Sequence, residues 1–381
     1  MRTGARTITI GTRAVWRLTN ARWLSVLVAV SVLGSARAEF ATSLTTTQRA
    51  KLIHLVQTDA DAAKLFKRIQ SLAESALGEP PQPSRQIATA GRLAADPAKV
   101  ESRSALEDMK KVEALGFAYV VASNTACGDA ARRIVLGWAR TYEPSGSPID
   151  ETKLEPLFVA YGLTSGMFSA EDKHLVEKWL RAIAAQQLSS VRVGSVTASN
   201  NWNSHRLKIV GLVGFLLEDR ALIERAMNGF KQQIADNLRP DGASLDFHER
   251  DALHYHCYTL EPLLTLAVAA HQTGSNCYDY QASGGASLRQ AVNFLVPFCD
   301  GSATHAEWVN SSVPFDSQRA AAGESKFSIG ANFEPRDALR VLRLAAFFDP
   351  GLEPLVARLA NRRAAVKFAV WQSVLNEAMR L

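Results

Sequence analysis

The sequence has 381 residues, of which 47% are hydrophobic, and a formal net charge of +6. This length is enough to bury a sizeable core. Six arginines and no acidic residue fall in residues 1–38, and the rest of the chain carries 37 basic and 37 acidic residues. The mature chain is therefore neutral and lacks the general basic character that nucleic-acid binding requires.

Residues 1–38 have the pattern of a secretory signal peptide. The apolar run 23–33 follows a basic segment, and Ala36 and Ala38 supply the small residues of a cleavage site. The run is too short to form a stable membrane-spanning helix. We predict cleavage after Ala38, a mature domain over 39–381, a periplasmic or secreted location, and no membrane attachment after cleavage. An uncleaved anchor is the alternative.

The rest of the chain predicts a succession of helices. Apolar residues recur at helical spacing over about 60–77, 105–122, 125–142, 154–163, 170–187 and 219–237, and turn-forming segments such as 78–84 and 143–148 separate them. No stretch combines sustained alternation with β-branched residues, so few strands are expected. About a dozen helices joined by short loops predict an all-α, layered or toroidal architecture of antiparallel hairpins.

The stretch 197–213 predicts a helix with polar side chains at its start. Asn200, or the serine before it, is suited to cap this helix. Asn201, His205 and Lys208 then lie at i, i+4 and i+7 on one face. We interpret Asn200 as a structural cap, and Asn201 with His205 as an amide and an imidazole available to a ligand.

A loop that leads into a long helix is predicted over 246–264. Arg250, His254 and Tyr258 fall at i, i+4 and i+8, so they are expected to share one helical face. A guanidinium, an imidazole and a phenol in one row suit acid–base chemistry on an anionic substrate. Each residue alone is better explained by packing, and the two polar rows together favour a site. His256 points away from the row and is predicted to be structural.

Two later residues are candidates with an open alternative. Trp308 could stack on a sugar ring or belong to the core. Arg319 could pair with a substrate carboxylate or with a surface acid.

The four cysteines, Cys127, Cys257, Cys277 and Cys299, show no spacing typical of a zinc site. We therefore predict no metal. In an exported chain they permit disulfides, and Cys277 with Cys299 is the preferred pair because both flank loop-like sequence around 273–285.

The motif Asn200-Asn201-Trp202, followed by ALHYHCYTLEPL at 252–263, resembles the alginate lyases. These are helical-toroid polysaccharide lyases that cleave uronate polymers, and the resemblance extends over about residues 100–320. It implies an incomplete (α/α) toroid, an anionic polysaccharide as partner, and no cofactor. Asn201 matches the family's carboxylate-binding asparagine and Tyr258 its catalytic tyrosine.

Two positions depart from the mannuronate-specific branch of that family. Trp202 stands where that branch has a histidine, and Asp251 stands where it has an arginine. The nearest equivalents are His205, one helical turn on, and Arg250, one residue earlier. These departures leave the preferred uronate open. The sequence also does not determine the oligomeric state.

The implied chemistry is β-elimination, in which a base removes the proton on C5 and an acid protonates the leaving O4. Asn201 with Arg250 or Arg206 would stabilise the charge that develops at the carboxylate. Tyr258 would serve as base and acid if both groups leave from one face, and His205 would be the base if they leave from opposite faces. Arg250 and His254 are expected to lower the pKa of Tyr258. The expected substrate-binding residues are Arg206, His254, Lys208, Trp308 and Arg319.

Two other functions are weighed against the lyase. A helical-toroid glycoside hydrolase would need two carboxylates across the scissile bond. Asp246, Glu249, Asp251 and Glu261 lie near the motif, but the Asn201 stretch offers no second carboxylate row. A non-catalytic periplasmic polyuronate-binding protein could keep the cleft without a working acid–base pair.

Overall fold

The computed structural model describes residues 44–361 and 366–380. The predicted signal segment lies outside these residues, so the division at Ala38 stays a prediction. The described residues form the following α-helices: α1 (Thr46–Thr58), α2 (Ala60–Ala76), α3 (Pro97–Ala105), α4 (Glu107–Ala122), α5 (Thr125–Thr141), α6 (Pro148–Glu151), α7 (Glu155–Thr164), α8 (Ala170–Ser189), α9 (Asn201–Leu216), α10 (Arg220–Asn237), α11 (Leu245–Arg250), α12 (Leu253–His271), α13 (Leu288–Asp300), α14 (Pro314–Ala321), α15 (Leu339–Ala345), α16 (Glu353–Leu359) and α17 (Trp371–Met379).

Extended structure in residues 44–361 and 366–380 is limited to three isolated β-bridges. The all-α class predicted from the sequence is therefore confirmed. None of the helices in this part of the chain is long and apolar enough to cross a membrane.

The helices form a toroid around an internal cavity. Along its inner side, α4 packs against α7, α7 against α9, α9 against α12, and α12 against α15. Helix α17 packs against α15 at one end of this series and against α1 and α2 at the other. Side chains from α4, α7, α9, α12, α15 and α17 all line one cavity, which places these helices around the centre. Helices α5, α8, α10 and α13 pack outside them.

Helix α9 is buried on nearly every side, as expected for an inner helix whose apolar residues surround it. It begins at Asn201 because the side chain of Asn200 accepts a 3.0 Å hydrogen bond from Trp202 N, which confirms Asn200 as the cap. A Cβ at Gly211 would lie 2.3 Å from Leu266 Cδ1 on α12. Glycine at this position therefore permits the close packing of α9 on α12.

The predicted loop and helix over 246–264 are instead two helices with a sharp turn between them. Asp251 adopts a left-handed conformation with φ of 47°, which ends α11 before α12 begins at Leu253. Arg250 therefore lies on α11, whereas His254 and Tyr258 lie on α12. The expectation that all three share one helical face was wrong, because the sequence pattern does not show the turn.

The preferred disulfide is not formed. All four cysteines are free and buried. The segment 273–285 is a loop, as predicted, and most of its residues are exposed. It is anchored at Tyr278, which is fully buried and stacks on Phe348 with ring centroids 4.8 Å apart.

Candidate active site

A cavity of about 330 Å³ lies where the starts of α9 and α12 meet the segment before α3, and we call it the cationic cleft. None of the described residues that line it is an aspartate or a glutamate. Its basic lining residues are Lys99, Arg103, Lys153, Arg250 and Arg319. In a chain without excess positive charge beyond residue 38, this concentration marks the cleft as a site for an anion.

A second cavity of about 300 Å³, which we call the lumen, lies within the ring of inner helices. Its lining includes Glu113, Glu155, His205, Lys208, Glu261 and Arg340. Of the described residues, only Lys153 and Tyr258 line both the lumen and the cationic cleft. These two side chains therefore mark the boundary between the two cavities.

Tyr258 is the acid–base candidate that borders the cleft directly. Burial raises the pKa of its phenol above the usual value, and Tyr255 and Glu261 raise it further. The expectation that Arg250 and His254 lower this pKa was wrong, because burial and the nearby acidic groups outweigh the effect of Arg319, the cation that lowers it. The Tyr258 hydroxyl has no hydrogen-bond partner among residues 44–361 and 366–380, so it is available to a ligand.

His205 lies behind Tyr258, on the lumen side. Its Nδ1 is 2.9 Å from Thr152 Oγ1, and its buried Nε2 has no hydrogen-bond partner within the described part of the chain. Burial lowers the pKa of the imidazole well below its usual value, and Lys208 and Lys153 lower it further. The side chain is therefore neutral at pH 7. His205 lines the lumen, whereas the cleft lining does not include it.

Asn201 lines the cleft and is held in place by the buried carboxylate of Asp246. Asp246 accepts hydrogen bonds from the backbone and the amide of Asn201, from Asn237 Nδ2 at 2.8 Å, and from Thr259 Oγ1 at 2.7 Å. These bonds join α9, α10, α11 and α12. Asp246 is thus a positioning residue for Asn201, and its oxygens are fully occupied.

Two arginines on the cleft wall converge on Tyr255. The Arg250 guanidinium lies 3.8 Å from the centroid of the Tyr255 ring and donates a 2.5 Å hydrogen bond to Asp316. Arg319 donates to the Tyr255 hydroxyl at 3.1 Å and lies 3.8 Å from Glu324. Both guanidinium groups are partly neutralised by protein carboxylates before any substrate arrives.

His254 also lines the cleft, but it is not a cation. Burial lowers the pKa of its imidazole to about 4. Its backbone N–H donates to the carboxylate of Glu307, which holds the start of α12. Burial raises the pKa of Glu307 to about 7. His256 is structural, as predicted, since its ring nitrogens contact Ser244 Oγ and the Ala291 carbonyl, each at 3.0 Å.

Three expected substrate-binding residues lie outside the cleft lining. Arg206 is buried and donates to the Thr197 carbonyl and to Asn203. Lys208 lines the lumen and pairs with Glu155 at 2.5 Å. Trp308 is only 2% exposed, which decides for the core alternative that the sequence had left open. Arg319, by contrast, does border the cleft.

The sequence profile of the alginate lyases matches residues 45–306, which is well over half of the chain. The chain belongs to the alginate lyase family. This membership confirms the resemblance drawn from residues 200–202 and 252–263, and with it the predicted enzyme class, a polysaccharide lyase.

Solved alginate lyases share the fold. The chain is similar to an alginate lyase from Bacteroides ovatus, with a TM-score of 0.67 and 17% sequence identity, over 89% of this chain and 98% of that one. For the A1-III alginate lyase from Sphingomonas species A1, the TM-score is 0.56 and the identity 18%, over 76% and 92%. For a histidine-to-alanine variant of the A1-III lyase complexed with a tetrasaccharide, the TM-score is 0.53 and the sequence identity 19%, over 80% of this chain and 96% of that one. No curated protein matches the chain.

Most of the cleft-lining residues that the sequence did not predict lie outside the alginate lyase motif. Lys99 lies on α3 and Lys153 in the 3-10 helix Thr152–Leu154, and both line the cleft although neither belongs to a recognisable pattern. Tyr255 lies within the motif, where its spacing resembled that of a core residue. Within residues 44–361 and 366–380, no group of three or more His, Cys, Asp or Glu side chains is arranged to hold a metal ion.

Proposed function

We propose that this protein is an exported polysaccharide lyase that cleaves alginate by β-elimination, with mannuronate as the preferred residue at the cleaved bond. The observation that carries the proposal is the cationic cleft, which combines five basic side chains with an available tyrosine hydroxyl and no carboxylate among its described lining residues. The tetrasaccharide bound to a variant of the A1-III lyase supports a saccharide chain as the ligand.

In the proposed reaction, the C5–H bond and the C4–O4 bond break and a C4=C5 double bond forms. The C5 proton leaves to a base, the electron pair of the C–H bond forms the new double bond, and O4 departs with a proton from an acid. Asn201 and Arg250 bind the uronate carboxylate and stabilise its developing negative charge. Because Asp246 fixes the Asn201 amide in advance, this stabilisation requires little reorganisation during the reaction.

Tyr258 is proposed to act as both base and acid. It borders the cleft, whereas His205 lies behind it in the lumen, so the phenol is the group that meets C5 and O4. The raised pKa of Tyr258 suits the acid role directly. The base role needs the phenolate, which the Arg319 charge favours because it lowers this pKa. One residue acting on both groups requires them to leave from the same face, as in mannuronate.

The cleft geometry supports a lyase over a glycoside hydrolase. Asp246 is fully hydrogen-bonded, Asp251 accepts from Asn310, and Glu261 pairs with Arg340 at 2.7 Å. None of these, nor Glu249, is among the described residues that line the cleft. A hydrolase needs one carboxylate on each side of the scissile bond.

The test is ultraviolet absorbance during incubation with purified polymannuronate, polyguluronate and polyglucuronate. Elimination creates a conjugated double bond in the product, and we expect the fastest rise with polymannuronate. A faster rise with polyguluronate would refute the tyrosine-only mechanism and move the base role to His205. New reducing ends without absorbance would identify a hydrolase, and retention on a uronate column without either signal would identify a binding protein.

A further inference from the structure

We propose that Lys153 is a further catalytic residue, whose ammonium group contacts the carboxylate of the uronate that is cleaved and stabilises the charge that develops there. Lys153 lies outside both halves of the family motif, in a 3-10 helix that precedes α7. The inference rests on the proposed lyase function.

The position of Lys153 is the first argument. Lys153 and Tyr258 are the two described residues that line both the cationic cleft and the lumen. A uronate placed with its C5 and O4 at the Tyr258 hydroxyl therefore has the Lys153 side chain at the same boundary. The carboxylate is attached to C5, so a cation at that point lies beside the group whose charge grows as the proton leaves.

The absence of a counter-ion is the second argument. The Lys153 ammonium donates to the Ile149 carbonyl, and no carboxylate of the described residues forms an ion pair with it. Arg250 and Arg319, by contrast, are engaged by Asp316 and Glu324. Lys153 is half-buried. A partly desolvated cation without a paired anion is costly, and the arrival of a carboxylate at this boundary relieves that cost.

The surroundings of Lys153 leave room for a substrate anion. Asp150 is the nearby acid that favours its charged form, but Asp150 already accepts from the backbone of Thr89 and Ala90 and from the Thr89 hydroxyl. The charges of Lys208 and Lys99 lower the pKa of Lys153, and the His205 imidazole is neutral. Without substrate, burial lowers the pKa of Lys153 to about 8.

The motif itself explains why an additional cation is needed. The Asn201 amide is neutral and already donates to Asp246. The residues directly after Asn201 and Arg250 are Trp202 and Asp251, and neither supplies a positive charge. In the proposed step Lys153 keeps its proton throughout. The C5 proton passes to Tyr258, O4 departs protonated, and Lys153 contributes only charge and a hydrogen bond to the carboxylate.

The experiment compares Lys153→Met and Lys153→Arg with the wild-type protein, with Lys178→Met as a matched control on an exposed part of α8. We expect Lys153→Met to lower kcat/KM on polymannuronate by about 100-fold or more, mainly through kcat, as for loss of one preorganised charge-stabilising donor. Lys153→Arg should retain most of the activity because it keeps the charge. Lys178→Met should match the wild type.

The pH profile gives a readout that a purely structural role would not change. For the wild type, kcat/KM should rise with pH as the Tyr258 phenolate becomes more populated and should level off near pH 8, since Lys153 then loses its charge. In Lys153→Arg the levelling-off should move to a much higher pH, because an arginine side chain stays protonated there. If Lys153→Met fails to fold, as judged by circular dichroism, the Lys153→Arg profile alone decides.

The outcomes separate this inference from the proposed function. If the wild type cleaves a uronate polymer and Lys153→Met stays within about twofold of it, or the Lys153→Arg profile levels off at the same pH as the wild type, Lys153 has no catalytic role and the lyase assignment stands. If the wild type cleaves none of the three polymers, the proposed function fails and the role of Lys153 fails with it.

Discussion

The rings of His205 and Tyr258 lie with their centroids 4.4 Å apart, at the contact between α9 and α12. The sequence predicted that both residues face one cleft, but in the structure only Tyr258 lines the cationic cleft. Tyr258 borders the cationic cleft, whereas His205 supports it from the lumen. We therefore propose that Tyr258 contacts the substrate and that His205 positions Tyr258.

We expect Tyr258→Phe to lower kcat by about 10³-fold or more, because it removes the hydroxyl that we propose as base and acid. The ring is kept, so folding and retention on a uronate column should be nearly unchanged. The absorbance assay and a binding assay on the same preparation check this. Tyr280→Phe, on a half-buried tyrosine outside the cleft lining, is the control and should retain full activity. Substantial turnover by Tyr258→Phe would remove Tyr258 from the mechanism.

A second prediction concerns His205, which we expect to act through Tyr258 without titrating in the working range. Because its pKa is held well below the usual value, it stays neutral down to acidic pH. His205 should therefore contribute no inflection to the wild-type kcat/KM between about pH 6 and 7, where an unperturbed histidine titrates. His205→Gln should lower kcat more than it raises KM. A wild-type inflection near pH 6.5 that disappears in His205→Gln would show instead that His205 exchanges a proton during turnover.

Much of the fold was predictable because helical periodicity and caps are local. Asn200 caps α9 as its position before an apolar run suggests, and the predicted helices over 125–142 and 170–187 correspond to α5 and α8. The break at Asp251 was not predictable from periodicity, because the apolar spacing continues across it. It depends on tertiary contacts, since Asp251 Oδ2 accepts from both the backbone and the side chain of Asn310.

The candidate site was predictable where the motif itself supplies the residues. Asn201, His254 and Tyr258 meet in one cleft as expected, and Arg250 joins them from a different helix. Lys99 and Lys153 could not be found in this way, since they are brought to the cleft by the packing of distant segments. Arg206 and Lys208 share the sequence neighbourhood of Asn201, yet burial on an inner helix directs them elsewhere.

Acid should destabilise the protein through its buried neutral histidines. His256 is fully buried, and burial lowers its pKa to about 4, whereas the unfolded chain titrates near 6.5. Between these values the unfolded state binds a proton that the folded state does not, so stability is lost as the pH falls from about 6.5 to 4. The loss from this one residue is about 3 kcal/mol.

Urea unfolding at pH 7.5, 5.5 and 4.5 measures this dependence. His256→Gln should be less stable than the wild type at pH 7.5, because it disturbs the contacts with Ser244 and Ala291. Its stability should nevertheless fall less steeply between pH 7.5 and 4.5. Parallel curves for the two proteins would show that His256 is not a neutral buried group.

Asp246→Asn tests the positioning of the Asn201 amide. The substitution replaces a carboxylate that accepts from Asn201, Asn237 and Thr259 with a group that presents two N–H donors to them. We expect a loss of about 3 kcal/mol in the free energy of unfolding, as for a broken buried charged network, together with a lower kcat. Asn237→Ala, which removes one of these bonds, should cost about 1 kcal/mol and leave most activity. Equal effects of the two variants would contradict the central role of Asp246.

The contact of α9 with α12 can be tested at Gly211. A Cβ there would lie 2.3 Å from Leu266 Cδ1 and 3.2 Å from Ala226 Cβ, and both of these residues are fully buried. We expect Gly211→Val to cost about 1–3 kcal/mol in stability by overpacking and to lower kcat by moving His205 relative to Tyr258. Gly166→Ala is the control, since the atom nearest to its Cβ would be 3.9 Å away. Thermal unfolding and the absorbance assay measure both effects. A Gly211→Val protein with wild-type stability and activity would show that the spacing of α9 and α12 is not fixed by this glycine.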